Sequence, residues 1–264
     1  MPMRTVTSTH PVRRYGADEQ TDAKGIVLGL DGADTDPFLM MAEDHFGPEK
    51  GFDWHPHRGI ETVTLVLDGQ VAHTDNTGGA GLLGPGDVQW MRAGRGLIHG
   101  EMAPVPSHTL QLWVNLPAAE KLTDPGYEDL PVKDMPVIEG ENARLHVFSE
   151  HRRVFFGDLH LDAEGAIEHE VPADHRAVAV VIEGNARING VDLVAGEVAV
   201  LDPGPGDLAI TSATGGRVIL FAGRPLEEPV VQYGPFVMNT EDEIRQAILD
   251  YRAGEFGPIP QPQA

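Results

Sequence analysis

Along most of the chain, apolar residues come in short runs broken at close intervals by Gly, Pro, Asp or Asn. The stretches "ETVTLVL", "TLQLWVNL" and "AVAVVIEG" are of this kind. Runs of that length, rich in β-branched residues and bounded by turn formers, predict strands. Many in succession predict sandwiches or barrels, so the expected fold class is all-β. One segment departs from the pattern, "TEDEIRQAILDYRAG" near the end. There Thr240 and Glu243 have capping-box spacing, while Ile244, Ala247, Ile248 and Tyr251 share one helical face. Gly254 suits a C-cap, so a short C-terminal α-helix is predicted. The tail beyond Phe256 is expected to be poorly ordered.

The strand pattern repeats. "TLVLDGQ" (64–70) resembles "AVVIEGN" (179–185), and "LGPGDVQWM" (83–91) resembles "VAGEVAVL" (194–201). "AGRG" (93–96) then resembles "GPGD" (204–207). Two β domains of one type in tandem account for 264 residues better than one long barrel. The Pro-rich, acidic segment 115–137 is the expected connection. This gives an N-terminal domain over 1–130 and a C-terminal domain over 131–264 that carries the helix and tail.

Composition narrows the chemistry more than the fold. The chain has no cysteine, which excludes disulfides, thiolate catalysis and sulfur-ligated zinc or iron–sulfur sites. Any metal must be held by His, Asp or Glu. A formal net charge of −22 argues against direct nucleic-acid binding, which needs clustered Lys and Arg. No apolar run is long enough for a membrane span, and "MPMRTVTSTHPVRRYG" lacks the apolar core of a secretory signal. A cytoplasmic location is expected. So is a monomer, since two domains can shield each other's faces.

Two pairs of residues carry the candidate chemistry. In "DWHPHRGIETVTLVLDG", His55 and His57 are separated by one residue, which in a strand aims both imidazoles at one point. Pro56 between them suits a strand edge. In "RAGRGLIHGEM", His99 and Glu101 have the same spacing, with Gly96 and Gly100 leaving space beside them. Three imidazoles and one carboxylate suit Fe, Mn, Ni, Cu or Zn and leave two positions of a six-coordinate ion open. His73, His108 and His146 read as solvated or hydrogen-bonded. His10, His45, His151, His160, His169 and His175 have no ligand-like spacing. Aligned on its turns, the second repeat places Glu170, Pro172, Ala209 and Thr211 at the four positions, and a metal-free C-terminal half is expected.

The motifs "HPHRGIETVTLVLDG", "PGDVQWMRAGRGLIHGEM", "LQLWVNLP" and "EPVVQYGPFVMNTEDEIRQAI" resemble the pirin family, a branch of the cupin superfamily. The resemblance is dense over 52–117 and 225–257 and weaker between. It implies a bicupin, two double-stranded β-helix (jelly-roll) barrels with one metal in the N-terminal one. By that analogy His55, His57, His99 and Glu101 bind a mononuclear divalent metal, Fe(II) first, with Mn, Ni, Cu or Zn as alternatives. Glu61 stands where general cupins carry a motif glutamate, and reads here as a supporting residue. Some pirins resemble quercetinases, which open the flavonol heterocycle with dioxygen and release carbon monoxide. Others act as iron-dependent, redox-sensing regulators through protein partners. The first reading makes a flavonol-like aromatic and dioxygen the substrates, with Glu101 as the base. Met40, Trp90 and Met91 are candidates for an apolar wall or for core packing. The strand-like segment 26–48, "IVLGLDGADTDPFLMMAEDHFGP", departs from the family pattern and is expected to line the barrel mouth.

Overall fold

The structure is a computed structural model describing residues 3–28, 34–148 and 153–260. The chain forms two compact units. One comprises Arg14–Ile26, Phe38–Val132 and Leu226–Ala264, and the other Met1–Arg13, Val27–Pro37 and Lys133–Pro225. They are called the N-terminal and C-terminal barrels below. Both are β structures, and the one α-helix among the described residues spans Glu241–Arg252.

The N-terminal barrel is built from two sheets. A four-stranded sheet runs in the order Lys50–His57, Leu97–Ala103, Val71–Asp75, Ala80–Leu83. In the seven-stranded sheet, Ile60–Asp68 lies between Val88–Arg92 and Ser107–Asn115, with Phe38–Phe46 beyond. Ile60–Asp68 is buried at every position except its last, which is why it reads as a near-continuous apolar run. The C-terminal barrel is an eight-stranded sheet wrapped around an aliphatic core of Leu145, Leu159, Val181, Ile188, Leu208, Ile210 and their neighbours.

Both chain ends depart from the expected division at 130/131. Ser8–Pro11 pairs antiparallel with Glu197–Val200 of the C-terminal barrel. The helix and the segment before it group with the N-terminal barrel in the compact units. The physical cause is the apolar face read from the sequence. Ile244 and Ala247 are buried with Phe236, Met238, Phe256 and Ile98, and Trp54, Ile248 and Tyr251 pack around them. Trp54 and Ile98 come from the two strands that carry the paired histidines. The capping box is complete. Glu243 N donates to Thr240 Oγ1 at 3.2 Å, and Thr240 N donates to Glu243 Oε2 at 2.8 Å. Phe256 is buried and contributes to this core, and residues 261–264 of the tail beyond it lie outside the described residues.

Two polar clamps fix this segment against the turn that follows His57. Arg58 donates from Nε to the Arg95 carbonyl at 2.5 Å and from Nη1 to Asp250 Oδ2 at 2.7 Å. Its guanidinium also lies 4.5 Å from the Phe256 ring centre, a cation–π contact. Phe256 occupies the space beside Gly96, where a Cβ would sit only 2.8 Å from the ring. That space was expected to serve the histidines, and it is filled instead by the C-terminal segment. The second clamp is Lys121, 1% exposed, whose ammonium donates to Gly59 O (2.9 Å), Asn115 Oδ1 (2.7 Å) and Val237 O (3.0 Å). Burial lowers its pKa to about 8 against the opposing pull of Glu228 and Glu243, so the ammonium stays charged at neutral pH.

Replacing Lys121 with Met keeps the volume and takes the charged donor from three buried acceptors, of which Gly59 O keeps only a 3.4 Å bond from Leu116 N. The expected loss is about 2–4 kcal/mol in urea denaturation. A variant as stable as wild type would show that the ammonium is not a tie.

Candidate metal centre

Strand register brings the candidate residues together. On Leu97–Ala103, His99 lies opposite His55 on one side and opposite Asp75 on the other, while Glu101 lies opposite His73. Side chains two apart share a face of a strand, so His55, His57, His99, Glu101, His73 and Asp75 all turn to the barrel interior. The donor atoms of His55, His57 and His99 lie within 4.8 Å of one another. Those of His73, His99 and Glu101 do the same, so His99 is the hinge between two groups. Glu101 is thus brought to His99 but not into the tight cluster with His55 and His57. Its Oε2 accepts from Gln111 Nε2 at 2.9 Å and its Oε1 from the Thr64 hydroxyl at 3.4 Å.

The hydrogen bonds around the imidazoles choose their tautomers. His55 Nδ1 lies 2.7 Å from the Asp53 carbonyl, so it carries the proton and leaves the Nε2 lone pair free. His73 Nε2 lies 3.4 Å from Asp75 Oδ2 and donates to it, which makes Nδ1 of a neutral His73 an acceptor. His99 Nδ1, 3.4 Å from that nitrogen, is then the donor, and His99 Nε2 is a free lone pair. Burial would raise the Asp75 carboxyl, but hydrogen bonds from His73, Thr77 and Gly79 outweigh it and hold it below its usual range. Asp75 therefore anchors the chain as an anion. Tyr127 stacks on His73 at 4.6 Å, completing its cage.

Burial keeps the innermost imidazoles uncharged. His57 is driven down to about 3, first by desolvation and then by His55, with the Pro235 carbonyl opposing weakly. His99 is held well below its ordinary value by burial and by its three neighbouring histidines. No group hydrogen-bonds either ring nitrogen of His57 or Nε2 of His99 at normal geometry. Buried nitrogens without partners are costly unless a ligand takes them. A borderline divalent ion is such a ligand, so these residues fit a metal.

Trp113 borders His57 edge-on, at 5.0 Å and 87°, and donates from Nε1 to Gln111 Oε1. Met91 is fully buried, and Met40 packs against the same cluster of Leu39, Ile60, Leu97 and Trp113. Trp90 is a core residue at 1% exposure. Trp113, absent from the sequence reading, is thus the aromatic wall at the histidines. Glu61 is buried on Ile60–Asp68 opposite Arg92 and Val114, outside the donor groups. Of the segment 26–48, Asp44 and Phe46 line a small cavity with Glu101, Thr64 and Gln111, whereas residues 29–33 lie outside the described residues. His151 lies outside them as well.

The second repeat needs a one-residue correction. Gly69 and Gly184 adopt the same left-handed turn, at φ +78° and +65°. Counting four residues on from each gives His73 and Ile188. Ile188 pairs with Ile210 where His73 pairs with Glu101, and Leu208 pairs with His169 where His99 pairs with His55. The counterparts are therefore His169, Val171, Leu208 and Ile210, not Glu170, Pro172, Ala209 and Thr211. A shift of one residue exchanges the faces of a strand, and turn-anchored sequence alignment cannot see it. Val171, Leu208, Ile210 and Ile188 belong to the C-terminal core, so aliphatic packing replaces the donors there.

Asp44 shares the cavity with Glu101 and is 2% exposed. Its pKa is raised from 3.8 to about 6, chiefly by burial, with Lys24 lowering it and Glu101 adding to the rise. Between those values the folded chain holds a proton that the unfolded chain has released. Stability contributed at Asp44 is thus present below pH 4 and lost as pH rises to about 6. The gap corresponds to at most about 3 kcal/mol. In metal-free protein, Asp44→Asn should gain ~1–3 kcal/mol at pH 7 and nothing at pH 4. Denaturation curves at the two pH values that shift equally would contradict this.

Comparison with known proteins places this geometry in a family. The profile described as Pirin matches residues 9–114, and that of the Pirin C-terminal cupin domain matches 156–257. A Pseudomonas aeruginosa protein named "Putative quercetin 2,3-dioxygenase" is 41% identical over 246 residues, 83% of this chain and 86% of that one. Human pirin is 38% identical over 242 residues, 84% of this chain and 83% of its own. The crystal structure of a quercetin 2,3-dioxygenase from Acinetobacter baumannii superposes with a TM-score of 0.89 at 30% identity, covering 98% of this chain and 100% of that one. The chain belongs to the pirin family of two-domain cupins.

Proposed function

We propose that the N-terminal barrel binds one mononuclear divalent metal, Fe(II) first, through His55, His57, His99 and Glu101, and that the protein is a flavonol 2,3-dioxygenase. The observation that carries this is the convergence of three imidazoles, two of them fully buried with ring nitrogens that have no hydrogen-bond partner. Likeness to proteins named as quercetin 2,3-dioxygenases supports the substrate class. When bound, the metal supplies a redox-capable Lewis acid with open positions for a substrate oxygen and dioxygen.

The residues of the chain then have separate tasks. Burial keeps His57 and His99 neutral, the Asp53 carbonyl turns His55 Nε2 toward the site, and the His73–Asp75 pair does the same for His99. Glu101 accepts the proton of the flavonol hydroxyl. Gln111 and Thr64 each donate to one of its oxygens and would hold the carboxyl in place whether it is charged or has taken up the proton. Trp113, edge-on to His57, offers an apolar surface for an aromatic substrate.

Two measurements follow. Anaerobic loading with Fe(II), then quercetin in air, should give metal-dependent loss of flavonol absorbance matched by dioxygen uptake. His57→Ala should be more than ~100-fold slower. Absence of turnover in protein carrying stoichiometric metal would overturn the enzyme reading in favour of a metal-dependent regulator. Separately, His73→Phe removes the acceptor for His99 Nδ1–H and should weaken metal binding about 10- to 100-fold in chelator competition. An unchanged affinity would show that His73 does not position His99.

A further inference from the structure

A second set of metal donors lies on the other face of the Phe38–Phe46 strand. Asp44 and Phe46 face the cavity with Glu101, so by strand alternation Glu43 and His45 point away from it. His108, on Ser107–Asn115, is directly opposite His45 in register. The pattern reproduces the main cluster, in which His55 and His57 are two apart and His99 lies opposite His55. Here the pair is Glu43 and His45, with His108 across from His45.

The side chains converge. The two imidazoles stack at 3.9 Å and 19°. His108 Nε2 is 2.9 Å and His45 Nε2 is 3.8 Å from the same oxygen, Glu43 Oε1. All three donor atoms lie within 4.8 Å of one another. Glu43 is buried, while the side chains of His45 and His108 are 39% and 24% exposed, so an ion can reach them from solvent. Arg14 Nη1 binds the other carboxylate oxygen at 2.8 Å, which leaves Oε1 to the histidines. Burial alone would raise the Glu43 carboxyl, but His108 and Arg14 outweigh it and keep it ionised. Burial and the nearby His108 also disfavour protonation of His45.

We infer that Glu43, His45 and His108 form a second, solvent-accessible site for a borderline divalent ion such as Zn(II), Cu(II) or Ni(II). The ion takes the place of the Nε2 proton that His108 shares with Glu43, that proton passes to solvent, and water completes the coordination. Two nitrogens and one oxygen select this class over Ca(II) or Mg(II), which prefer all-oxygen shells. Arg14 opposes the ion's charge, so binding is weaker than at the enclosed cluster.

The test is calorimetric titration of the chelator-stripped full chain with Zn(II). Wild type should show two classes of site, tight and weak. His108→Asn and Glu43→Gln should each remove the weak class and keep the tight one, whose survival shows that the barrel is folded. His57→Ala should do the reverse, so a failure of the main site is distinguishable from a failure of this one. Arg14→Ala should strengthen the weak class about two- to fivefold. A single class abolished by His57→Ala, or a weak class that survives both His108→Asn and Glu43→Gln, would overturn the inference.

Discussion

Register in the four-stranded sheet of the N-terminal barrel is the constraint on which the site depends. Three strands must align so that His55, His99 and Asp75 lie side by side, with Glu101 beside His73. A slip of one residue would turn these groups outward and bring Pro56, Ile98, Gly100 and Thr74 to the interior. The C-terminal barrel shows the other use of the same positions. There Val171, Leu208, Ile210 and Ile188 close an aliphatic core. One scaffold thus supports either a dry core or a cluster of polar groups, depending on a few inward-facing side chains.

The polar version needs outside support, and the C-terminal segment supplies it. Its helix packs on Trp54 and Ile98, neighbours of His55 and His99 in sequence. Arg58 and Lys121 tie the turn after His57 to Asp250 and Val237. The Pro235 carbonyl beside His57 belongs to the same segment. Rigid ligand placement of this kind is what allows a buried cluster to keep lone pairs free instead of collapsing onto one another.

Much of this was legible in the sequence, and the gaps have physical causes. Short apolar runs between turn formers marked the strands, and Thr240 with Glu243 marked the helix start, because both signals are local. The ligand candidates were legible because spacing two apart is also local. What needed the fold was everything that crosses strands. His73 and Asp75 have the same spacing as the ligand pairs, yet only their place opposite Glu101 and His99 reveals a tautomer relay. His45 and His108 are 63 positions apart (108 − 45) and meet only through register. The helix falls within the Pirin C-terminal cupin match yet groups with the N-terminal barrel, because its apolar face says that it packs, but not on what. The second repeat was read one residue out because turns mark where strands end and not which face each residue takes.

The central claim is that the chain fixes free Nε2 lone pairs before any ion arrives. Long-range proton–nitrogen NMR of metal-free protein at pH 7 measures the tautomer of each histidine directly. The relay predicts a neutral His99 protonated at Nδ1, a His73 protonated at Nε2 and a His55 protonated at Nδ1. A His99 protonated at Nε2, or charged at that pH, would contradict it.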